Sequence, residues 1–154
     1  MTYFATYSLH MEDLINSLDD ATAVRILGIL ARRSGGGRET ELTPEIRRSL
    51  QGEFGVAPAP DRPSEGDLSR QALIVLAQDP DTREVIAVLS KGPAPESFEP
   101  VTTVVIVAAA LIALQTHVRF ERDAGGKLRL LIEKKPTKDT LLKPLVHKLI
   151  SYLP

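Results

Sequence analysis

Apolar residues recur at helical spacing along most of this chain and at two-residue spacing in one stretch only. Leu14, Ile15 and Leu18 share one face of a helix expected over residues 11–18. Val24, Leu27, Leu30 and Ala31 mark a second helix running to about Arg33. Asp19 or Asp20 is placed to cap it, because a short carboxylate accepts the unbonded N–H groups of a first helical turn. Thr43-Pro44-Glu45 opens a third helix, whose Ile46, Leu50 and Phe54 form one apolar stripe. Ser64-Glu65-Gly66-Asp67 has the form of a capping box before a helix over residues 68–78. Asp79-Pro80 ends that helix and starts the next, which Gly92-Pro93 stops after Lys91. The runs 72–76 and 85–89 are also short enough to pair as a β-hairpin across Asp79-Pro80-Asp81. Matching caps on both sides favour helices.

Residues 101–114 carry no charge. A membrane-spanning helix needs about 20 apolar residues, so this run is expected to be the central buried helix, with Pro100 in its first turn. The Val- and Thr-rich first half leaves a strand there as an alternative.

The two-residue alternation follows. Val118 and Phe120 alternate with charged Arg119 and Glu121, and Leu128, Leu130 and Ile132 alternate with Arg129, Leu131 and Glu133. Asp123-Ala124-Gly125-Gly126 supplies turn chemistry between them. This is a β-hairpin with one apolar face, and charge pairing is expected between Glu121 and Arg129 and between Arg119 and Glu133 across the strands. The second strand is expected to end at Lys134-Lys135-Pro136. A last helix follows, capped by Thr137 or Thr140, with a wide stripe of Leu141, Leu142, Leu145, Val146, Leu149, Ile150 and Leu153. Pro144 should bend its start.

The fold class that emerges is mainly α (α+β): helices with one C-terminal β-hairpin packed on them. Residues 55–66 hold three prolines and two glycines without periodicity. They read as a semi-stiff linker between a helical N-terminal subdomain, 1–54, and a larger piece, 67–154, that carries the remaining helices and the hairpin.

Composition narrows the function classes. The 154 residues include no cysteine, which removes disulfides, thiolate metal sites and a cysteine nucleophile together. A cytoplasmic location suits such a chain. Met1-Thr2-Tyr3-Phe4 begins no basic-then-apolar segment, so no signal peptide is expected. The net charge of −1 conceals an uneven distribution. Residues 1–116 hold ten Arg/Lys against sixteen Asp/Glu, whereas residues 117–154 hold nine against four. A basic tail on an acidic body predicts an internal contact or an acidic partner.

No constellation points to catalysis or to a metal or other cofactor. His10, His117 and His147 stand far apart, with no i,i+4 pair or HExxH pattern. Ser34 precedes three glycines but lacks a nucleophile-elbow context. Asp19-Asp20 and Asp79/Asp81 suit caps and turns better than acid–base work. Gly35-Gly36-Gly37-Arg38 and Gly125-Gly126-Lys127 lack the spacing of a phosphate-binding loop.

What remains is the basic cluster on or near the hairpin: Arg119, Arg122, Lys127, Arg129, Lys134, Lys135 and Lys138. Arg119, Arg129, Lys134, Lys135 and Lys138 are the candidate partner-binding residues. A basic hairpin can lie along nucleic acid, but Glu121, Asp123 and Glu133 dilute its charge and no aromatic platform accompanies it. A two-stranded sheet also has two edges open to strand addition by a partner or a second copy.

Leu76-Ala77-Gln78-Asp79-Pro80, the segment from Leu114 to Lys127, and Ile132-Glu133-Lys134-Lys135-Pro136-Thr137 with Leu141-Leu142-Lys143-Pro144-Leu145-Val146 resemble a module of small bacterial proteins. Such proteins lie beside caspase-like peptidases or NTPase switches in conflict and defence systems. The resemblance spans residues 68–153 and rests on caps, turns and core positions. It carries no catalytic residue across and implies an accessory, adaptor or inhibitor that binds a protease or NTPase. The expectation is therefore a non-enzymatic protein-interaction module. A nucleic-acid-binding regulator and a membrane-acting effector using residues 101–114 are the alternatives.

Overall fold

Short-range capping chemistry sets most helix boundaries in the computed structural model, which describes residues 10–33, 41–92, 103–132 and 136–152. Helix α1 occupies residues 10–16. It is followed by α2 (Asp20–Arg33), α3 (Pro44–Phe54), α4 (Glu65–Leu76), α5 (Pro80–Lys91) and α6 (Thr103–Gln115). The hairpin strands β1 (Val118–Arg122) and β2 (Leu128–Ile132) come next, then α7 (Pro136–Tyr152). The chain is thus mainly α with one antiparallel hairpin.

Of the two candidate caps for α2, Asp19 performs the role, its Oδ1 accepting the Thr22 N–H at 2.7 Å. Thr43 Oγ1 accepts the Ile46 N–H at 3.2 Å, and Pro44 opens α3. Gly55 closes α3 in the left-handed region, φ 63°, where glycine carries no Cβ penalty. Ser64 Oγ accepts the Asp67 N–H at 3.0 Å, so α4 starts at Glu65 rather than at Leu68. Asp79 Oδ2 accepts both the N–H and the hydroxyl of Thr82, at 3.0 and 2.8 Å. Residues 72–89 are therefore a pair of helices around a capped turn, and the hairpin alternative falls away.

The last helix begins at Pro136, before either threonine expected to cap it, and β2 ends at Ile132. A proline with its fixed φ suits a first helical turn, which explains the earlier start. Pro144 sits inside α7, and the helix continues through it to Tyr152.

Helices α4 and α6 form the centre, with α2 packed against both on one flank and α7 against both on the other. The uncharged run predicted to be buried is α6. Its Ile106, Val107, Ala109, Ala110, Leu111, Ala113 and Leu114 are all buried. Ala72 of α4 and Ala109, Ala110 and Ala113 of α6 have small side chains, which let neighbouring helices approach closely. One buried cluster runs from Met11 to Tyr152, and the N-terminal helices contribute Ile15, Ile26, Leu27, Ile46 and Leu50 to it.

The proline-rich stretch between α3 and α4 is fastened to α7. The Ala59 N–H donates to Ser151 Oγ at 2.8 Å, and that hydroxyl donates to the His147 carbonyl at 2.7 Å. The Arg62 guanidinium lies 4.6 Å above the Tyr152 ring, and the Tyr152 hydroxyl donates to Glu65 Oε1 at 3.3 Å. Arg47 of α3 donates to the Ile150 carbonyl at 2.9 Å, placing a cation at the negative end of α7.

Arg70 of α4 ties the start of the chain to the centre. Its guanidinium donates to the Leu18 carbonyl at 3.0 Å, to Asp20 Oδ1 at 2.8 Å and to Asp67 Oδ1 at 2.6 Å. The Arg70 hydrogen bond holds the Asp67 carboxyl below its usual range, assisted by the Ser64 N–H, which completes the capping box.

Candidate interaction site

The hairpin register follows from one pairing. Glu121 faces Arg129, as expected from the sequence. Facing residues of an antiparallel pair step in opposite directions, so Arg119 faces Leu131 rather than Glu133. Arg119 instead forms its ion pair along its own strand, with Nε 3.7 Å from Glu121 Oε1. Glu133, Lys134 and Lys135 lie outside the described residues, and Lys138 falls in the first turn of α7.

One hairpin face is anchored. Val118 and Leu128 are buried, and Phe120 and Leu130 pack partly against the core. Arg122 lies on the same face and reaches Glu45 in the first turn of α3, Nη1 to Oε2 at 3.2 Å. Glu45 Oε1 also accepts the Leu128 N–H at 3.1 Å. The turn holds itself closed: Asp123 Oδ1 accepts the N–H groups of Gly125 and Lys127, each at 2.9 Å, and Gly126 adopts φ 79°. Gly125-Gly126-Lys127 therefore serves the turn. Gly35, Gly36, Gly37, Arg38 and Ser34 lie outside the described residues.

The opposite face carries Arg119, Glu121 and Arg129 in solvent; the Arg119 side chain is 65% exposed and that of Glu121 48%. Arg119 and Arg129 thus flank a single carboxylate. All four described arginines and lysines of the basic hairpin are exposed, Arg119, Arg122, Lys127 and Arg129, but Arg122 is paired with Glu45 of α3.

The two edges of the hairpin are unequal. Because the Leu128 N–H points to Glu45, the Arg122–Leu128 pair is of the type whose backbone groups face away from the partner strand. Alternation then directs the N–H and C=O of Val118 and Phe120 toward the outer edge of β1. Helix α3 occupies the β2 edge at Leu128, and Val118 is buried at the start of the β1 edge, so the two fully open edges that the sequence suggested are not what the described residues show.

His10 stands at the start of α1, His117 in the turn between α6 and β1, and His147 within α7. Among the described residues, no three His, Asp or Glu side chains converge as a metal site. Asp19 and Asp79 are caps, Asp20 pairs with Arg70, and Asp81 lies in the first turn of α5.

Two hollows were not legible in the sequence. One, of about 340 Å³, lies where Arg62 and Pro63 meet His147 and Lys148 of α7. The other, of about 450 Å³, lies along Val85, Val88 and Leu89 of α5, beside Arg33 and Glu84. Each joins residues from distant segments, so neither leaves a local motif.

Four carboxyls are held below their usual range by the bonds that build the fold. Hydrogen bonds from Arg122 and then the Leu128 N–H do this for Glu45, and from Arg70 for Asp67. Those from the Thr22 and Thr82 hydroxyls and N–H groups do it for Asp19 and Asp79. A carboxyl whose folded pKa lies below its unfolded one adds stability above the unfolded value and loses it as acid protonates the folded form. Thermal unfolding midpoints should therefore hold steady near neutrality and fall as the pH drops below about 4. Melting curves followed by circular dichroism across that range test this. A midpoint that rose on acidification would contradict it.

Comparison with known protein families, with curated proteins and with solved structures found no match.

Proposed function

We propose that this chain is a non-enzymatic protein-interaction module that presents the exposed hairpin face and the start of α7 to an acidic surface of a protein partner. Arg119, Arg129, Lys134, Lys135 and Lys138 form the contact in this reading. One observation supports it above the others: one hairpin face and the β2 edge are spent on packing, while the face bearing Arg119 and Arg129 is left to solvent. The cysteine-free composition suits work in the cytoplasm. The resemblance across residues 68–153 adds the class of partner, a protease or NTPase served by an accessory, adaptor or inhibitor in bacterial defence.

Glu121 between Arg119 and Arg129 weighs against a phosphate backbone as the partner. A membrane-acting role for residues 101–114 is disfavoured because α6 is buried among α2, α4 and α7. Among the described residues, no helix is long and apolar enough to cross a membrane.

Affinity capture from native lysate, compared with the triple variant Arg119→Glu, Arg129→Glu, Lys135→Glu, tests the reading. The variant should retain at most about a tenth of the specifically captured partner, since each lost pair at a surface contributes up to ~1 kcal/mol. Undiminished capture removes this face from the contact. A band retarded by nucleic acid at low salt, weakening steeply as salt rises, would favour the nucleic-acid reading.

A further inference from the structure

We propose that Glu121 determines what the exposed hairpin face binds: it reserves Arg119 and Arg129 for separate carboxylates of a protein partner and turns away a continuous polyanion such as nucleic acid. This rests on reading that face as the contact surface and adds the residue that sets its selectivity. The carboxylates within reach of the hairpin divide by task. Asp123 Oδ1 is taken by the N–H groups of Gly125 and Lys127, which close the turn. Glu45 accepts the Leu128 N–H and pairs with Arg122, which ties the hairpin to α3. Glu121 has no such task among the described residues. Its ion pair with Arg119 is long, 3.7 Å, and lies in solvent, where such a pair contributes little to stability.

Position gives that carboxylate its effect. Arg119 stands two residues earlier on the same side of β1, and Arg129 stands directly opposite on β2. Glu121 is therefore the neighbour of both guanidiniums and offsets one of their two positive charges. A chain of phosphates that met both arginines would have to pass over Glu121. Repulsion between like charges acts at that distance, since the screening length is about 8 Å at physiological salt. Single carboxylates on a protein surface can approach each arginine from the side away from Glu121.

Fluorescence anisotropy of the full chain with a labelled random-sequence DNA duplex tests this. Glu121→Gln keeps the shape of the side chain and removes its charge. It should bind the duplex roughly tenfold more tightly than the native chain at about 50 mM salt, with a steeper loss of affinity as salt rises. Adding Arg119→Gln and Arg129→Gln should cancel the gain. Glu84→Gln makes the same change in net charge on α5, which packs on α2 and α4, and should leave the native affinity unchanged.

A Glu121→Gln chain that binds the duplex no better than the native one would overturn the inference, as would an equal gain from Glu84→Gln. So would a gain that survives removal of both arginines. A purely structural Glu121 would instead shift the thermal midpoint and leave duplex affinity as it is. Partner capture separates this inference from the proposed function. If the triple variant Arg119→Glu, Arg129→Glu, Lys135→Glu captures as the native chain does, the proposed function falls. If its capture is lost but Glu121→Gln gains nothing, only the role of Glu121 falls.

Discussion

Ala110→Asp is expected to abolish cooperative folding. Ala110 is wholly buried in α6, the helix that α2, α4 and α7 surround. Its neighbours along the helix, Ala109, Leu111, Ala113 and Leu114, are buried and apolar. A carboxylate there must either lose its hydration without a partner or take up a proton, and it must also find volume beside closely packed alanines. Burial of an unpaired ionisable group in a tight core costs upward of about 4 kcal/mol, comparable with the 5–15 kcal/mol that holds a typical domain together. The variant should lack a sigmoidal thermal transition by circular dichroism or collect in the insoluble fraction. Val88→Asp is the matching control. Val88 is 65% exposed on α5, so the same substitution should change stability by at most about 0.5 kcal/mol. A well-folded Ala110→Asp protein with a native melting curve would mean that α6 is not the buried centre.

Gly66→Ala carries the second-largest effect. Gly66 is buried in the first turn of α4 where Asp20, the first residue of α2, crosses it. A methyl group at Gly66 would overlap Asp20 Oδ1 and Cγ and lie 2.6 Å from Asp20 Cβ. Asp20 could swing its carboxylate aside only by leaving Arg70 Nη1, now 2.8 Å away, and its Cβ would still crowd the new methyl. Helix propensity favours alanine over glycine by up to ~1 kcal/mol, so a purely local account predicts stabilisation. Overlap between backbone-fixed atoms outweighs that gain, and a loss of about 1–3 kcal/mol is expected in urea unfolding. Asp20→Gly in the same chain removes the obstructing atoms and should recover part of the loss. A Gly66→Ala protein more stable than the native one would show that α2 and α4 do not meet this closely.

Elements whose causes lie within four residues were legible in the sequence. Thr43-Pro44, Ser64 and Asp79-Pro80 mark their helix starts because the acceptor and the N–H it serves are three residues apart. Glu121 opposite Arg129 could be read because the turn and the alternation lie in the same short segment. The pairing of Arg119 with Glu133 failed for a related reason. It requires a different register from Glu121–Arg129, and one hairpin holds a single register. The start of α7 was misplaced because two threonines offered cap chemistry while Pro136 supplied a first-turn residue just ahead of them.

The candidate site was legible in its residue types but not in their use. Arg119, Arg122 and Arg129 look alike along the chain, yet Arg122 reaches a carboxylate 77 positions away while the other two face solvent. The contact from Ala59 to Ser151 spans 92 positions, that from Arg47 to the Ile150 carbonyl 103, and that from Arg70 to Asp20 50. Nothing local distinguishes these residues from solvated surface groups, because a long flexible side chain takes whichever partner the fold brings within reach.

Local order of residues, then, dictated where helices begin, which run is buried and which segment turns back as a hairpin. Backbone hydrogen bonds and apolar periodicity act over a few residues and leave their pattern in consecutive positions. Packing alone determined which glycine must stay small, which arginine reaches across to α3 and which edge of the hairpin that helix takes. Each of those depends on two segments meeting across the core, and the distance between them in space is not written in their distance along the chain.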